Sequence, residues 1–301
     1  METTAPSLSP ISPGQVALIK NLELRARLIV EGAIAGLHQS PYHGFSAEFL
    51  EYRPYIPGES TKRIDWRKYA KTDKTVVRLF EDETNLFATV LIDKSASMRF
   101  SSAANMSKYD YARTLAASLA MLLIRQRDAV GLSVFDETTS CRIAPHSTGV
   151  HLKTIMETLD RLEPSGMTRC GAALSRLAQT VVKRGLCIII SDFFDEPEEI
   201  IQGLRHLRFK KQDVIVLRIV DPFELNFRPG SPVSVRDLET GERLLLDPVV
   251  AARFFSDGLR GHHDLIKRAC QDMKIDCEMV LTDEFFHGAL ARVLGKRRRM
   301  P

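Results

Sequence analysis

The sequence predicts an α/β protein built on a doubly wound, mainly parallel sheet, with an N-terminal helix and an extended segment packed on it. Three observations carry this expectation. Short apolar runs at 86–93, 129–136, 186–191 and 213–220 lack the alternation of a half-exposed strand and read as strands buried on both faces. Between them lie stretches with apolar residues at helical spacing, so strand and helix alternate. Hydrophobic residues make up 44% of 301, against 27% charged, enough to cover such a sheet on both sides.

Residues 1–13, rich in Ser, Pro and Thr, read as a disordered leader. They lack the basic head and apolar run of a signal peptide. From 15 to 38 the spacing of Leu18, Leu22, Leu28 and Ile29 between charged residues predicts a helix, stopped by Pro41 and Gly44. Residues 45–85 are aromatic and extended, punctuated by Pro54, Pro57 and Gly58, and are expected to anchor on the main domain through Ile64, Trp66, Val76 and Leu79. The expected division is therefore an extension at 14–85, an α/β domain at 86–294 and a basic tail at 295–301. Within that domain, Ser107 and Asp110 form a capping pattern before Tyr111, Leu115, Leu119 and Leu122, which repeat at helical spacing. An edge strand is expected at 140–144, a last strand at 277–282, and helices near 149–162, 169–184, 196–209, 249–273 and 284–294. The stretch 223–248 is loop-rich, with Glu239-Thr240-Gly241 turning between two short extended pieces.

Composition excludes several classes. Lys and Arg number 42 against 38 Asp and Glu, a net +4 that is too small to argue for nucleic acid by itself. Five scattered cysteines form no CxxC pair, which disfavours a disulfide framework or zinc site and suits a reducing compartment. The longest apolar run, 115–124, falls far short of the roughly 20 residues a membrane span needs, so a cytoplasmic protein is expected.

In a doubly wound sheet, ligands bind beyond the carboxyl ends of the strands. Immediately after the first buried run stand Asp93, Ser95 and Ser97, a carboxylate and two hydroxyls at alternate positions. Asp192 follows the run at 186–191, and Thr168 opens a helix between them. Each alone is commonly a turn residue or helix cap. Together they set two carboxylates and three hydroxyls at one sheet edge, a hard-oxygen set suited to Mg²⁺, or to Mn²⁺ or Ca²⁺. Lys94, between two of these residues, reads as pointing to solvent. Cys170 reads as helix packing, and the acids at 195–199 as favourable charges at a helix start.

This pattern resembles the von Willebrand factor A domain, whose metal-ion-dependent adhesion site combines DxSxS, a Thr and an Asp. The resemblance covers roughly 86–294 and assigns the metal to Asp93, Ser95, Ser97, Thr168 and Asp192. Met167 and Phe193 stand where that family usually has glycine. Upstream, Tyr55-Ile56-Pro57-Gly58-Glu59, Arg63-Ile64-Asp65-Trp66 and Ala70-Lys71-Thr72 resemble the signature of the bacterial domain-of-unknown-function 58 family, and the likeness continues through 238–248. Many members of that family carry N-terminal membrane spans, and this sequence shows none.

The resemblance implies a non-catalytic, Mg²⁺-dependent protein-binding module working with a MoxR-type AAA+ ATPase or its client. The partner would dock through an acidic side chain that completes the metal shell, with Met98, Phe100, Phe193 and Phe194 as apolar anchors, or with Phe193 or Phe194 packing under the loop instead. Two alternatives are weaker. A Mg²⁺-dependent phosphotransferase or hydrolase using Asp93 as nucleophile lacks the usual second Asp two residues on, where Ser95 stands, and no GxxxxGK[ST] loop is present. A nucleic-acid reading rests on Lys62, Arg63, Arg67, Lys68, Lys71, Lys74 and Arg78 around Trp66 and Tyr69, with the tail Lys296–Arg299.

Overall fold

In the computed structural model, residues 11–39, 49–55, 64–80, 86–102, 106–181 and 183–297 are described. Most of the leader, the segment 56–63 with part of the family signature, and the last four residues of the basic tail lie outside them. The chain divides into two compact units, one containing residues up to Ala35 and from Leu86 onward, the other Gly36–Asn85.

The larger unit begins with α1 (Pro13–Ala17) and most of α2 (Leu22–Gln39), two helices where the spacing suggested one. The break has local causes. Ser12 and Gln15 cap one another at the start of α1, Leu18 closes it, and Asn21 restarts the chain by accepting a 2.8 Å bond from the Leu24 amide. Leu18 consequently sits in the connecting turn and is exposed, whereas Leu22, Ala26, Ile29, Val30 and Ala33 form the buried stripe of α2.

The central sheet contains β3 (Phe87–Asp93), β4 (Ala129–Phe135), β5 (Thr139–His146), β6 (Leu186–Ser191), β7 (Asp213–Val220) and β10 (Asp276–Leu281). Its order is β10-β7-β6-β3-β4-β5, parallel throughout except for β5, which returns antiparallel to β4. Every residue of β4 and β6 is buried, as their uniform apolarity requires. Around the sheet lie α4 (Lys108–Arg125), α5 (Gly149–Arg161), α6 (Cys170–Thr180), α7 (Pro197–Phe209), the short α8 (Pro222–Leu225), α9 (Pro248–Asp272) and α10 (Phe286–Arg297). One core joins Leu174, Leu177, Ile200, Leu204, Leu207 and Ile266 to Ile189, Val214 and Val216. Tyr111 on α4 stacks on Phe286 at 4.3 Å between ring centroids and donates its hydroxyl to the Glu284 carbonyl at 3.1 Å. The N-terminal helix joins this unit through buried Arg25, which bonds the Ile19 and Ala17 carbonyls and lies 3.7 Å from Asp110 of α4.

The chain leaves β3 toward β4 and β5 on one side and later returns as β6 on the other, so the order reverses at β3. Asp93 ends β3 and Asp192 follows the adjacent β6 at that point. Between β7 and α9, β8 (Val233–Arg236) and β9 (Arg243–Leu246) form an antiparallel hairpin around the expected turn.

In the smaller unit, β1 (Phe49–Pro54) pairs antiparallel with β2 (Val76–Phe80). The segment expected to be extended throughout contains a helix, α3 (Trp66–Thr72), because Asp65 caps it by accepting from the Arg67 and Lys68 amides, both at 3.1 Å. Ile64 and Val77 are buried, but Trp66 is 59% exposed, so Trp66 is not the anchor its aromatic character suggested.

Candidate metal centre

Asp93 ends β3 with no exposed surface. Its Oδ1 accepts from the Ser95 amide at 2.8 Å and its Oδ2 from the Ser191 hydroxyl at 2.6 Å. The Ser95 and Ser97 hydroxyls lie 3.0 Å apart on the helical turn that follows. Asp192, also buried, accepts from the Phe194 amide on Oδ1 at 3.3 Å and from Lys108 Nζ on Oδ2 at 2.8 Å. The two carboxylates feel one another. Burial first, and then the negative charge of Asp192, push the Asp93 carboxyl up to about 7, against the opposing bonds from Ser191 and Ser95.

Thr168 approaches from a loop fixed to the same edge. The Ala96 amide donates to the Gly166 carbonyl at 2.9 Å and the Ser165 amide to the Lys94 carbonyl at 2.7 Å. Gly166 adopts a φ of 79°, which a residue with a Cβ resists, so this glycine of the motif is required where Met167 beside it is not. Lys94 does not reach solvent. It is buried, and its Nζ bonds Asp136 and the Ser165 hydroxyl, tying together the loops after β3 and β4 and before α6. Asp195 likewise does more than begin a helix, since its Oδ2 accepts from the Gly171 amide of α6 at 3.0 Å.

Four contributors escaped the sequence reading: Lys108, Glu224, Ser191 and Glu239. Lys108 is 1% exposed, and its Nζ lies 2.8 Å from both Asp192 Oδ2 and Glu224 Oε1, with the Phe194 ring centroid at 4.7 Å and that of Phe100 at 5.7 Å. Burial works to lower its pKa, but the charges of Asp192 and Glu224 prevail and raise it. A clue was available, because a cation in the first turn of a helix opposes the helix dipole and needs another reason to be there. Ser191 ends the apolar run beside Asp192. Glu239 reaches Thr168 from the β8–β9 turn, with Oε1 2.7 Å from the Thr168 hydroxyl and Oε2 3.1 Å from its amide.

The proposed apolar anchors divide. Met98 and Phe193 are fully buried, so the structure removes both from the partner surface. Phe193 belongs to the core, and its φ of 57° places a bulky residue in the left-handed region that glycine favours. Phe194 is 38% exposed and Phe100 half-buried. Among the described residues, no three His, Cys, Asp or Glu side chains gather as a metal cluster. The β3–β6 edge brings together groups of a different kind, two carboxylates with hydroxyls.

The mainly parallel sheet with its reversal of strand order at β3 has a von Willebrand factor A-like fold. The crystal structure of a conserved hypothetical protein, BatB from Bacteroides thetaiotaomicron, shares this fold, with a TM-score of 0.50 and 17% identity over 71% of this chain and 100% of that one. The VWA domain of SpRpn10 superposes with a TM-score of 0.43 and 11% identity, over 69% of this chain and 95% of that one. Residues 51–258 match the family described as protein of unknown function DUF58, and the chain belongs to that family. The uncharacterized proteins Mb1516 of Mycobacterium bovis and Rv1480 of Mycobacterium tuberculosis are each 25% identical over 294 residues, covering 95% of this chain and 91% of theirs. Among the described residues, no helix is long and apolar enough to cross a membrane.

Proposed function

We propose that this protein is a cation-dependent docking module, in which Asp93, Ser95, Ser97, Thr168 and Asp192 hold Mg²⁺, or Mn²⁺ or Ca²⁺ in its place. The observation that carries the reading is the burial of Asp93 beside Asp192 at the switch point of the sheet, with Asp93 raised to about 7. Lys108 is already shared between Asp192 and Glu224. Buried Arg218 stands on the other side of the cluster, its Nε donating to the Asp192 carbonyl at 3.1 Å. Asp93, Asp192 and Glu224 therefore outnumber the cations Lys108 and Arg218 by one in a desolvated place, and a divalent cation relieves that excess. The donors are all hard oxygen, as such an ion prefers. When bound, the ion would supply an electrophilic docking point for a carboxylate.

The partner in this proposal is a MoxR-type AAA+ ATPase or its client, presenting an Asp or Glu. The loops after β3 and β6 supply the surrounding contact, with Phe100 and Phe194 as the accessible apolar surfaces. The test is an interaction assay between the full chain and a MoxR-type ATPase of the same organism, with Mg²⁺ and with EDTA. Binding is expected with Mg²⁺, to disappear in EDTA, and to fail in Ser97→Ala. Equal binding in EDTA and Mg²⁺ would overturn the reading.

A further inference from the structure

The β8–β9 hairpin carries a carboxylate to the same edge from within the chain. We infer that Glu239 is an internal ligand that latches the hairpin over Thr168, so that an incoming acidic partner must displace it. The turn is built to present this side chain. Asp237 Oδ1 accepts from the Glu239 and Thr240 amides at 2.7 and 3.2 Å, the Asp237 amide donates to the Glu242 carbonyl at 2.9 Å, and Gly241 takes a φ of 77°. Glu239 then accepts two bonds from a single residue, through separate oxygens, to the Thr168 hydroxyl and amide. Charge-assisted bonds of this kind are among the stronger ones in proteins.

The rest of the hairpin adds little grip. No residue of β8 or β9 is buried, and Leu244 and Leu245 are 60% and 75% exposed. Detaching it therefore uncovers little apolar core, and the latch contributes a large share of what holds it. Thr168, by contrast, sits on the loop pinned to β3 and β4, so the hairpin is the part that moves. The metal reading enters only in naming what displaces the latch, a partner's carboxylate. The latch itself rests on the Glu239–Thr168 contact.

The experiment compares wild type, Glu239→Ala and, as control in the same turn, Glu242→Ala, in the full chain. Two quantities are read: hydrogen exchange of the Thr168 amide and the rate of trypsin cleavage at Arg236 and Arg243. Glu239→Ala is expected to speed both at least tenfold without lowering the melting temperature of the core, and Glu242→Ala to leave both within about twofold. Equal protection in wild type and Glu239→Ala overturns the latch. Mn²⁺ binding, measured on the same samples, separates the two readings. Absence of Mn²⁺ binding in wild type and Glu239→Ala alike would remove the metal site while a tenfold release of the hairpin still establishes the latch.

Discussion

Replacing Lys108 by Met tests whether the charges at the sheet edge are organised as described. Its ammonium lies 2.8 Å from Asp192 Oδ2 and 2.8 Å from Glu224 Oε1, and the three side chains are 1%, 1% and 13% exposed. Met has nearly the same length and no charge, so the packing is largely kept and the electrostatics are not. At 2.8 Å each attraction is about 6 kcal/mol with an effective dielectric constant near 20, and most of it offsets the cost of burying the charges. Removal of Lys108 leaves Asp192 and Glu224, with Asp93 close by, balanced by buried Arg218 alone. The expected loss is about 3–5 kcal/mol, two to four decades in the folding constant. Urea unfolding at pH 7.5 in EDTA should show it as a lower midpoint with unchanged slope. Glu224→Gln added to Lys108→Met should recover part of the loss, because one stranded charge is gone, and Mg²⁺ should raise the Lys108→Met midpoint more than that of wild type. A loss below about 1 kcal/mol would refute the argument that Lys108 balances this cluster.

Three further outcomes follow from particular residues. Burial foremost, with the positive charge of Arg218, lowers the pKa of His262 and His263 from an ordinary 6.5. Their unfolded forms bind protons more readily, so stability falls as pH drops below about 6.5 and is undiminished by them above it; His262→Gln/His263→Gln should flatten that limb of a pH–stability curve, and an unchanged slope would contradict it. Asp93, raised to about 7, acts with the opposite sign from pH 4 to 7, so the comparison is between variant and wild type over the same range. Phe193→Gly should relieve about 1–2 kcal/mol of left-handed strain but lose about 3–5 from the emptied core, for a net destabilisation measurable by thermal unfolding; a stabilised variant would show that strain outweighs packing there. In the smaller unit, Trp66→Ala should change stability by less than about 1 kcal/mol, because the ring is exposed, whereas Val77→Ala should cost more; the reverse order would show that Trp66 is covered.

The sheet was legible because its strands are buried on both faces, and uniform apolarity is a local signal that needs no knowledge of neighbours. Two strand ends then placed Asp93 and Asp192 together, since switch-point topology is itself a consequence of alternation. Reading failed where a local signal was outweighed or absent. The restart at Asn21 and the cap at Asp65 are single hydrogen-bonded side chains inside longer patterns, and each redefined a helix. Phe193 after Asp192 allowed two readings, a surface anchor or a side chain packed under its loop, and local pattern does not choose between them; the residue lies in the core with a backbone angle in the left-handed region. Lys108 and Glu224 are far apart in sequence, as are Thr168 and Glu239, and nothing in either neighbourhood announces the other.

The central claim is that the Asp93–Asp192 edge holds a divalent cation, and direct Mn²⁺ binding to the full chain tests it most simply. Electron paramagnetic resonance or calorimetric titration should find one Mn²⁺ bound per chain, displaced by Mg²⁺ and lost in both Asp93→Ala and Asp192→Ala while the variants stay folded. Retention of that Mn²⁺ in the two variants, or its absence from wild type, would contradict the account.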